Sequence, residues 1–450
     1  MYISYQDFVK RSDKAAFIRE LIDYHECSLE TMIARDADLY EMQENITIKN
    51  FMRVYYNFLG EKRPDTIASN NKIASNFFHK LNTQRCNYLL GNGIKLEDEK
   101  NKEKLGKNFD SVFKRAAYYA LIHRVSFIYW NVDHIHNFKL TEFVPLYDEE
   151  TGELRAGVRY WQIDIEKPQM AVLYEEDGYT KFKADDSKSA FKVVTDKKSY
   201  RVSVQAEAQG MEPEVIGEEN YNGRLPIIPI YAKYIKTSTL PGMRPDIDAY
   251  DIAMSGFAND MQDVAQIYWI IQNADGMSMT DLQKFFDRMK VNHIVQAGED
   301  QTVQPYVQEI PFNARTTFLS TIRSKIYEDF GGLDVHTIAA GATNDHIDSA
   351  YQALDDETDE FEYCINDAMQ RLLVIAGIDD EAHYKRNKIS NETEYNNMIL
   401  SASDVIGKRK TVEKLTFIEP DEVQECLDES AEEDVSRFTI PETEESDVDE

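Results

Sequence analysis

Between Pro245 and Asn273 the larger apolar residues fall at Ile247, Tyr250, Met254, Phe257, Met261, Val264, Tyr268 and Ile271, in alternating steps of three and four. That spacing predicts one long helix with an apolar seam, packed lengthwise against other helices. Pro245 and Asp246 suit its first turn, which tolerates a missing N–H and favours a carboxylate. Off the seam lie Asp248, Asp251, Ser255, Asn259, Asp260, Gln262, Asp263 and Gln266, and no Lys or Arg occurs between Asp246 and Asn273. Such a helix suits a wall that packs sideways and shows an anionic surface elsewhere. An ordinary core helix with a solvated face carries the same pattern, so spacing alone leaves both readings open.

A chain of 450 residues allows two to four domains with sizeable cores. Its 42% apolar content and mean hydropathy of −0.53 describe a soluble globular protein. No apolar run approaches bilayer length, and the first residues do not read as a signal peptide. Cys27, Cys86, Cys364 and Cys426 are scattered, which reads as reduced thiols in a cytosolic setting without a zinc site or disulfide framework. The net charge is −31, and about −14 of it lies after Ile418, where Asp and Glu meet only Arg437. Tight binding of DNA through phosphate neutralisation needs clustered Lys and Arg. A polyanion could slide past this protein without sticking.

Along the chain, Lys14 to Tyr24, Ile46 to Leu59, Asn71 to Leu90 and Phe109 to His123 have helical spacing, with polar links between the first two. Gly91 and Gly93 end the third of these. Alternation then predicts strands at 125–132, 139–146, 154–165, 169–174, 179–183, 191–195 and 200–205. Hairpin loops fall at Asp148 to Gly152 and Glu175 to Gly178, giving an antiparallel β region over about 125–230. Thr280 and Gln283 resemble a capping box for a short helix, and strands at 291–297 and 303–308 complete a small αβ insert. Pro311 opens another long helix ending at Gly331 and Gly332. Leu333 to His346 is a loop of small and polar residues, followed by a helix from about Ile347 to Ala376, stopped by Gly377. Helical stretches over 391–406 and 412–427 precede an acidic end, 428–450, that reads as disordered.

Chemistry is sparse. His134 and His136 share one face of a strand, half of a metal site with no third ligand evident and equally a surface hairpin. The carboxylates from Asp355 to Glu362 lack calcium-loop spacing and read as a solvated helix face. No Gly-Lys-Ser/Thr phosphate loop, complete dinucleotide fingerprint or nucleophile motif occurs. No enzyme and no cofactor is expected.

Several stretches in order resemble one family. They are Asn70 to Ile73 with Phe77 and Tyr88 to Gly91; Pro145 to Asp148 and Val158 to Tyr160; and Leu225 to Pro229, Asp246 to Asp251, Ser255 and Asn259-Asp260. Together they are similar to the portal proteins of tailed bacteriophages of the siphophage type. Asn344 to Ala350 lacks the glycine of an element that family often carries there. The resemblance implies an α+β, mainly α portal fold. It assigns 1–240 to a wing, 245–273 to a stem helix, 274–308 to a small αβ clip and 311–332 to a second stem helix. A tunnel loop would cover 333–346, including Thr337, Ala339, Ala340, Gly341, Ala342, Thr343, Asn344 and Asp345. A long kinked helix would occupy 347–390, a helical crown 391–427 and an acidic tail 428–450.

The resemblance further implies a ring, usually of twelve copies, at one capsid vertex, through which double-stranded DNA is packaged and later ejected. Asp248, Asp251, Ser255, Asn259, Gln262, Asp263 and Gln266 would line the channel, while the apolar seam packs neighbouring stems. Lys284, Arg288 and Lys290 would meet the terminase large subunit and later a head-completion adaptor. Major capsid and scaffolding proteins are further partners, and no membrane is involved. Localisation would be the virion, and the host cytoplasm during assembly. Two rival readings are a non-viral helical scaffold and a metal-dependent nuclease built on the 355–362 carboxylates.

Overall fold

The computed structural model describes residues 4–56, 60–65, 68–186, 188–205, 214–264, 268–272, 278, 280, 302–306, 312–335, 343–388, 392–415, 418 and 422–429. In chain order it begins with helices α1 (Tyr5–Lys10), α2 (Lys14–Glu26), α3 (Leu29–Glu41) and α4 (Ile46–Asn50), then strands β1 (Val54–Tyr56) and β2 (Lys62–Pro64). Next come α5 (Phe77–Leu90), β3 (Ile94–Leu96), α6 (Glu99–Glu103) and α7 (Phe109–His123). The β region holds β4 (Val125–Asn131), β5 (His134–Lys139), β6 (Phe143–Tyr147), β7 (Leu154–Trp161), β8 (Gln169–Glu175), β9 (Gly178–Ala184), β10 (Lys192–Lys198), β11 (Arg201–Gln205), β12 (Glu214–Glu219) and β13 (Ile227–Tyr231). After it follow α8 (Leu240–Val264), β14 (Tyr268–Gln272), β15 (Thr302–Tyr306), α9 (Phe312–Phe330), α10 (Asn344–Ala376), β16 (Ala382–Tyr384), α11 (Glu392–Ser401), α12 (Ser403–Ile406) and α13 (Lys408–Lys414).

The mixture of helix and antiparallel sheet agrees with the sequence. Strands β6 to β10 form one sheet in simple hairpin order, and β13, β4 and β5 form a second. Alternation decides the faces of the first. Val144, Leu146, Ala156, Val158, Ala171, Leu173 and Phe182 point to one side, where Phe8, Phe17, Ile18, Leu21 and Ile22 of α1 and α2 bury them. The main core lies between α5, α7, the second sheet and the C-terminal half of α10, with Phe113, Leu121, Phe127, Ile365 and Leu372 fully enclosed. Gly157 of β7 faces Phe143 of β6, and a Cβ there would stand 2.0 Å from that ring. Phe143 is wedged against Phe127 and Phe138 and cannot swing away. Gly157→Ala is therefore expected to lower stability by about 1–3 kcal/mol, read as a drop in melting temperature; an unchanged melt would show that the ring has somewhere to go.

Several boundaries differ from the sequence reading. The helix expected over Ile46 to Leu59 stops at Asn50, and its remainder contributes β1, paired with β2. The polar link before it is helix α3, capped by Ser28, whose side chain accepts from the Thr31 N–H. The helix expected from Asn71 starts at Phe77. The long helix begins at Leu240, not Pro245. Ser238 accepts from the Leu240 N–H, and Pro241 takes the first-turn place that tolerates it. It ends at Val264. Tyr268 and Ile271, the last two residues of the expected seam, lie on β14 and pair with Tyr306 and Val303 of β15. The run Tyr268 to Ile271 is aromatic and β-branched, so strand preference overrides a helical spacing that it also satisfies. Helix α10 begins at Asn344, three residues earlier than expected, and ends at Gly377 in the left-handed conformation, φ +73°. The expected continuation to residue 390 is instead a return in which β16 pairs with β3.

Candidate functional site

Helix α8 is gripped on two faces. Its apolar side packs antiparallel to α9. Ile247 is buried with Ile322, Ile326 and Phe330; Tyr250 meets Phe77 edge-on with ring centroids 5.1 Å apart; Phe257 meets Phe312 at 4.9 Å. Ion pairs Asp246–Lys325 and Asp260–Arg315 close the two ends of this contact. Met254 is half-buried, Met261 is exposed and the Val264 side chain lies outside the described residues.

The polar stripe, which the resemblance would have line a channel, docks the N-terminal part of the same chain. Residues 71–75 run extended along α8. The backbone N–H groups of Asn71, Ile73 and Ser75 donate to Asn259 Oδ1 at 2.6 Å, Ser255 Oγ at 3.0 Å and Asp251 Oδ1 at 2.9 Å. The match is geometric. Two residues of extended chain rise about 6.6 Å, and four residues of helix rise about 6 Å, so alternate amides meet every fourth helical side chain. Asn45 Nδ2 donates to Asp251 Oδ2 at 2.8 Å, Tyr40 and Thr47 donate to Asp248, and Asn71 Nδ2 donates to Gln262. Asp251 is wholly buried, with Ser255 and Asn259 nearly so. The polar atoms of Asp248, Asp251, Ser255 and Asn259, the residues named for a channel wall, are thus engaged within the chain. Gln262 alone of the described set is exposed; the Asp263 side chain and Gln266 lie outside the described residues.

Burial pushes the Asp251 carboxyl above its ordinary value, with the bonds from Ser75 and Asn45 pulling it part of the way back. A raised folded value means that the ionised group costs stability. The contribution is fully favourable below the unfolded value near 3.8 and is lost as pH rises through the folded value. Wild type is therefore expected to lose ground to Asp251→Asn as pH rises from about 4 toward neutrality; parallel melting curves across that range would contradict this.

The carboxylates of α10 are likewise committed. Asp355, Asp359 and Glu362 converge on Arg386, with Lys388 also on Asp355 at 2.8 Å. Glu357 meets Arg85 at 3.0 Å and Lys233 at 2.9 Å, while Glu360 accepts from the Tyr234 N–H. Burial pushes Asp355 up, but bonds from Lys388, Tyr88 and Arg386 outweigh it and hold the group below its ordinary value. A set of paired carboxylates is a poor metal cage, and this removes the observation behind the nuclease reading. His134 and His136 have Nε2 atoms 3.0 Å apart, with Asp133 on His134 Nδ1. Among the described residues no group of three or more potential ligands could hold a metal ion. Sequence reasoning missed Arg85, which interrupts the apolar seam Phe78, Leu81, Tyr88 of α5; a cation at a seam position was the available signal.

Of the loop residues singled out, Thr343 occupies the N-cap position of α10 and Asn344 and Asp345 belong to its first turn. Thr337, Ala339, Ala340, Gly341 and Ala342 lie outside the described residues, as do Lys284, Arg288 and Lys290. No helix among the described residues is long and apolar enough to cross a membrane.

Residues 33–436 match the family model described as phage portal protein, SPP1 Gp6-like. The portal protein of Clostridium phage phiCD119 is 24% identical over 400 residues, covering 80% of this chain and 86% of that protein. The portal protein of Bacillus phage SPP1 is 24% identical over 338 residues, covering 70% of this chain and 64% of that one. A chain from a solved structure, the neck of an empty GTA particle computed with C6 symmetry, aligns over 75% of this chain and 89% of its own length, with 9% identity and a TM-score of 0.46. With the family model matching all but the two ends of the sequence, the chain belongs to the SPP1 Gp6-like family of phage portal proteins.

Proposed function

We propose that the protein assembles as a closed ring, usually twelve copies in this family, at one capsid vertex, and that double-stranded DNA passes through its channel during packaging and ejection. The observation that carries this reading is the family match over residues 33–436. Portal proteins are structural channel proteins and virion components, not enzymes. The antiparallel pair α8 and α9, bracketing β14 and β15, supports a stem-and-clip arrangement, with the stem at Leu240–Val264 and Phe312–Phe330. Residues 1–240 then form the wing, 268–306 the clip and 391–427 the crown. The tunnel loop shortens to the segment between Val335 and Thr343.

With most of the polar stripe occupied within the chain, the channel wall falls to Gln262, Asp263 and Gln266 and to residues beyond them. The overall charge of −31 keeps DNA from adhering, so a motor moves it without fighting attraction. Lys284, Arg288 and Lys290 are the clip residues offered to the terminase large subunit and then to a head-completion adaptor, with capsid and scaffolding proteins around the wing. Assembly would take place in the host cytoplasm. Native mass spectrometry with negative-stain imaging tests the reading. Twelve copies of a 52.1 kDa chain give a ring of about 600 kDa with a central hole, whereas a compact dimer under every condition tried would reject it in favour of a scaffold.

A further inference from the structure

The face of the five-stranded sheet turned away from α1 and α2 carries rows fixed by strand register. Lys192, Lys183, Met170 and Trp161 stand side by side across β10, β9, β8 and β7. The next row runs Thr195, Lys181, Val172 and Arg159. Toward β6 this face is covered by β4 and β5, and the Arg159 guanidinium lies 4.4 Å from the Phe138 ring centroid and 4.9 Å from that of Trp161. Arg159 Nε is buried with no hydrogen-bond partner.

Toward β10 the face is open, and Lys181, Lys183 and Lys192 are all exposed. Exposed apolar side chains rim it: Ile163 and Ile165, 86% and 90% exposed, in the β7–β8 loop. Gln162 Nε2 donates to the carbonyls of Ile165 and Lys167, so this loop is held in shape. Lys183 and Lys192 are direct cross-strand partners, a like-charge pairing that destabilises a sheet unless an anion lies over it. Lys192 reaches Asp185 at 3.4 Å. Among the described residues no carboxylate lies within ion-pair distance of Lys181, Lys183 or Arg159.

We propose that this face is the docking site of the chain's own acidic C-terminal segment, residues 430–450. That segment carries nine Asp and Glu against the single cation Arg437, with Val435, Phe438 and Ile440 between its two acidic runs. The composition complements a lysine row beside a rim of Trp161, Ile163 and Ile165. Its 21 residues reach about 70 Å when extended, and the covalent tether supplies a high effective concentration. A free polyanion such as nucleic acid is at a disadvantage for the same face, because a chain of charge −31 repels it before contact.

Zero-length carbodiimide coupling of the full chain at low salt, read by mass spectrometry, tests the proposal. The expected links join Lys181, Lys183 or Lys192 to Glu432–Asp434 or Glu442–Glu445. Hydrogen exchange of the tail amides should rise toward the free-peptide rate in K181Q/K183Q. The built-in pairs Lys102–Asp110 and Lys233–Glu357, at 2.7 and 2.9 Å, serve as controls for coupling and for folding of the variant. Control links without tail links overturn the proposal, and so does unchanged tail exchange in the variant. Links from these lysines to the 345–367 carboxylates of another copy would reassign the face to a contact between subunits. Retention of a DNA duplex that K181Q/K183Q abolishes would reassign it to nucleic acid. Either result overturns docking of the tail.

Discussion

Arg85→Ala is expected to lower stability by about 3–5 kcal/mol, the range for removing one partner of a buried charge pair. Arg85 is 1% exposed. Its Nη2 donates to the Phe330 carbonyl at 2.6 Å and pairs with Glu357 at 3.0 Å, while the guanidinium lies 4.5 Å from the Phe330 ring centroid. Burial pulls the guanidinium below its ordinary value against the opposing pull of Glu357 and Glu360. Truncation strands the carbonyl that ends α9 and leaves a void between α5, α9 and α10. Lys233 still reaches Glu357, which places the loss at the lower end of the range. The surroundings cannot close the gap. Gly332 already lies so close to Leu81 that a Cβ would stand 2.3 Å from it, and a Cβ on Gly331 would meet Ala353 O at 2.8 Å. Arg85→Lys keeps the charge but not the planar fork, and should recover less than half of the loss. Thermal melts of the three proteins decide; a drop under about 1 kcal/mol would mean that the pair behaves like a surface ion pair.

Asp251→Ala is the second large effect, about 2–4 kcal/mol, because two buried donors lose their acceptor together. The Ser75 N–H and the Asn45 amide both end on this carboxylate. Asn45 also has its Oδ1 engaged, accepting from the Ile48 N–H at 3.1 Å, so its side chain is not free to turn. Ser255→Ala and Asn259→Ala each free one amide, of Ile73 or Asn71, and should cost less, about 1–2 kcal/mol each. Site-resolved hydrogen exchange separates these from a general loss of structure. The Ser75 amide should lose protection in Asp251→Ala while those of α7 keep theirs. Equal loosening at both places would show that the stripe does not hold residues 71–75 specifically.

The elements readable from the sequence are those whose pattern is complete within themselves. Helix α7 falls at Phe109–His123, as its spacing predicts, and the hairpins turn at Asp148 to Gly152 and near Gly178, where loop residues with positive φ are required. The stripe of Asp248, Asp251, Ser255 and Asn259 was also readable as a stripe. Its partner was not, because the amides that satisfy it belong to residues 71–75, more than 170 positions earlier, and backbone N–H groups leave no compositional trace. The same limit applies to the carboxylates of α10, whose partners Arg85, Lys233 and Arg386 come from three separate parts of the chain. At Tyr268 to Ile271 the residues fit helix and strand spacing alike, and pairing with β15 decided the matter.

Helix α10, 33 residues long, spans about 50 Å at 1.5 Å per residue, and its two halves are fastened unequally. Phe361, Ile365, Met369 and Leu372 are sunk in the main core, whereas Ile347, Tyr351 and Leu354 rest on a small cluster in which, among the described residues, Tyr88 and Leu333 are the buried neighbours. Mechanically this is a cantilever, built in at its C-terminal end and more lightly held toward Thr343, where Arg386 and Lys388 clamp Asp355 and Lys388 also reaches Asp348 at 3.5 Å. A load applied at Thr343 is expected to bend this lightly held half before the half sunk in the main core. The sheet beneath the built-in end stays still.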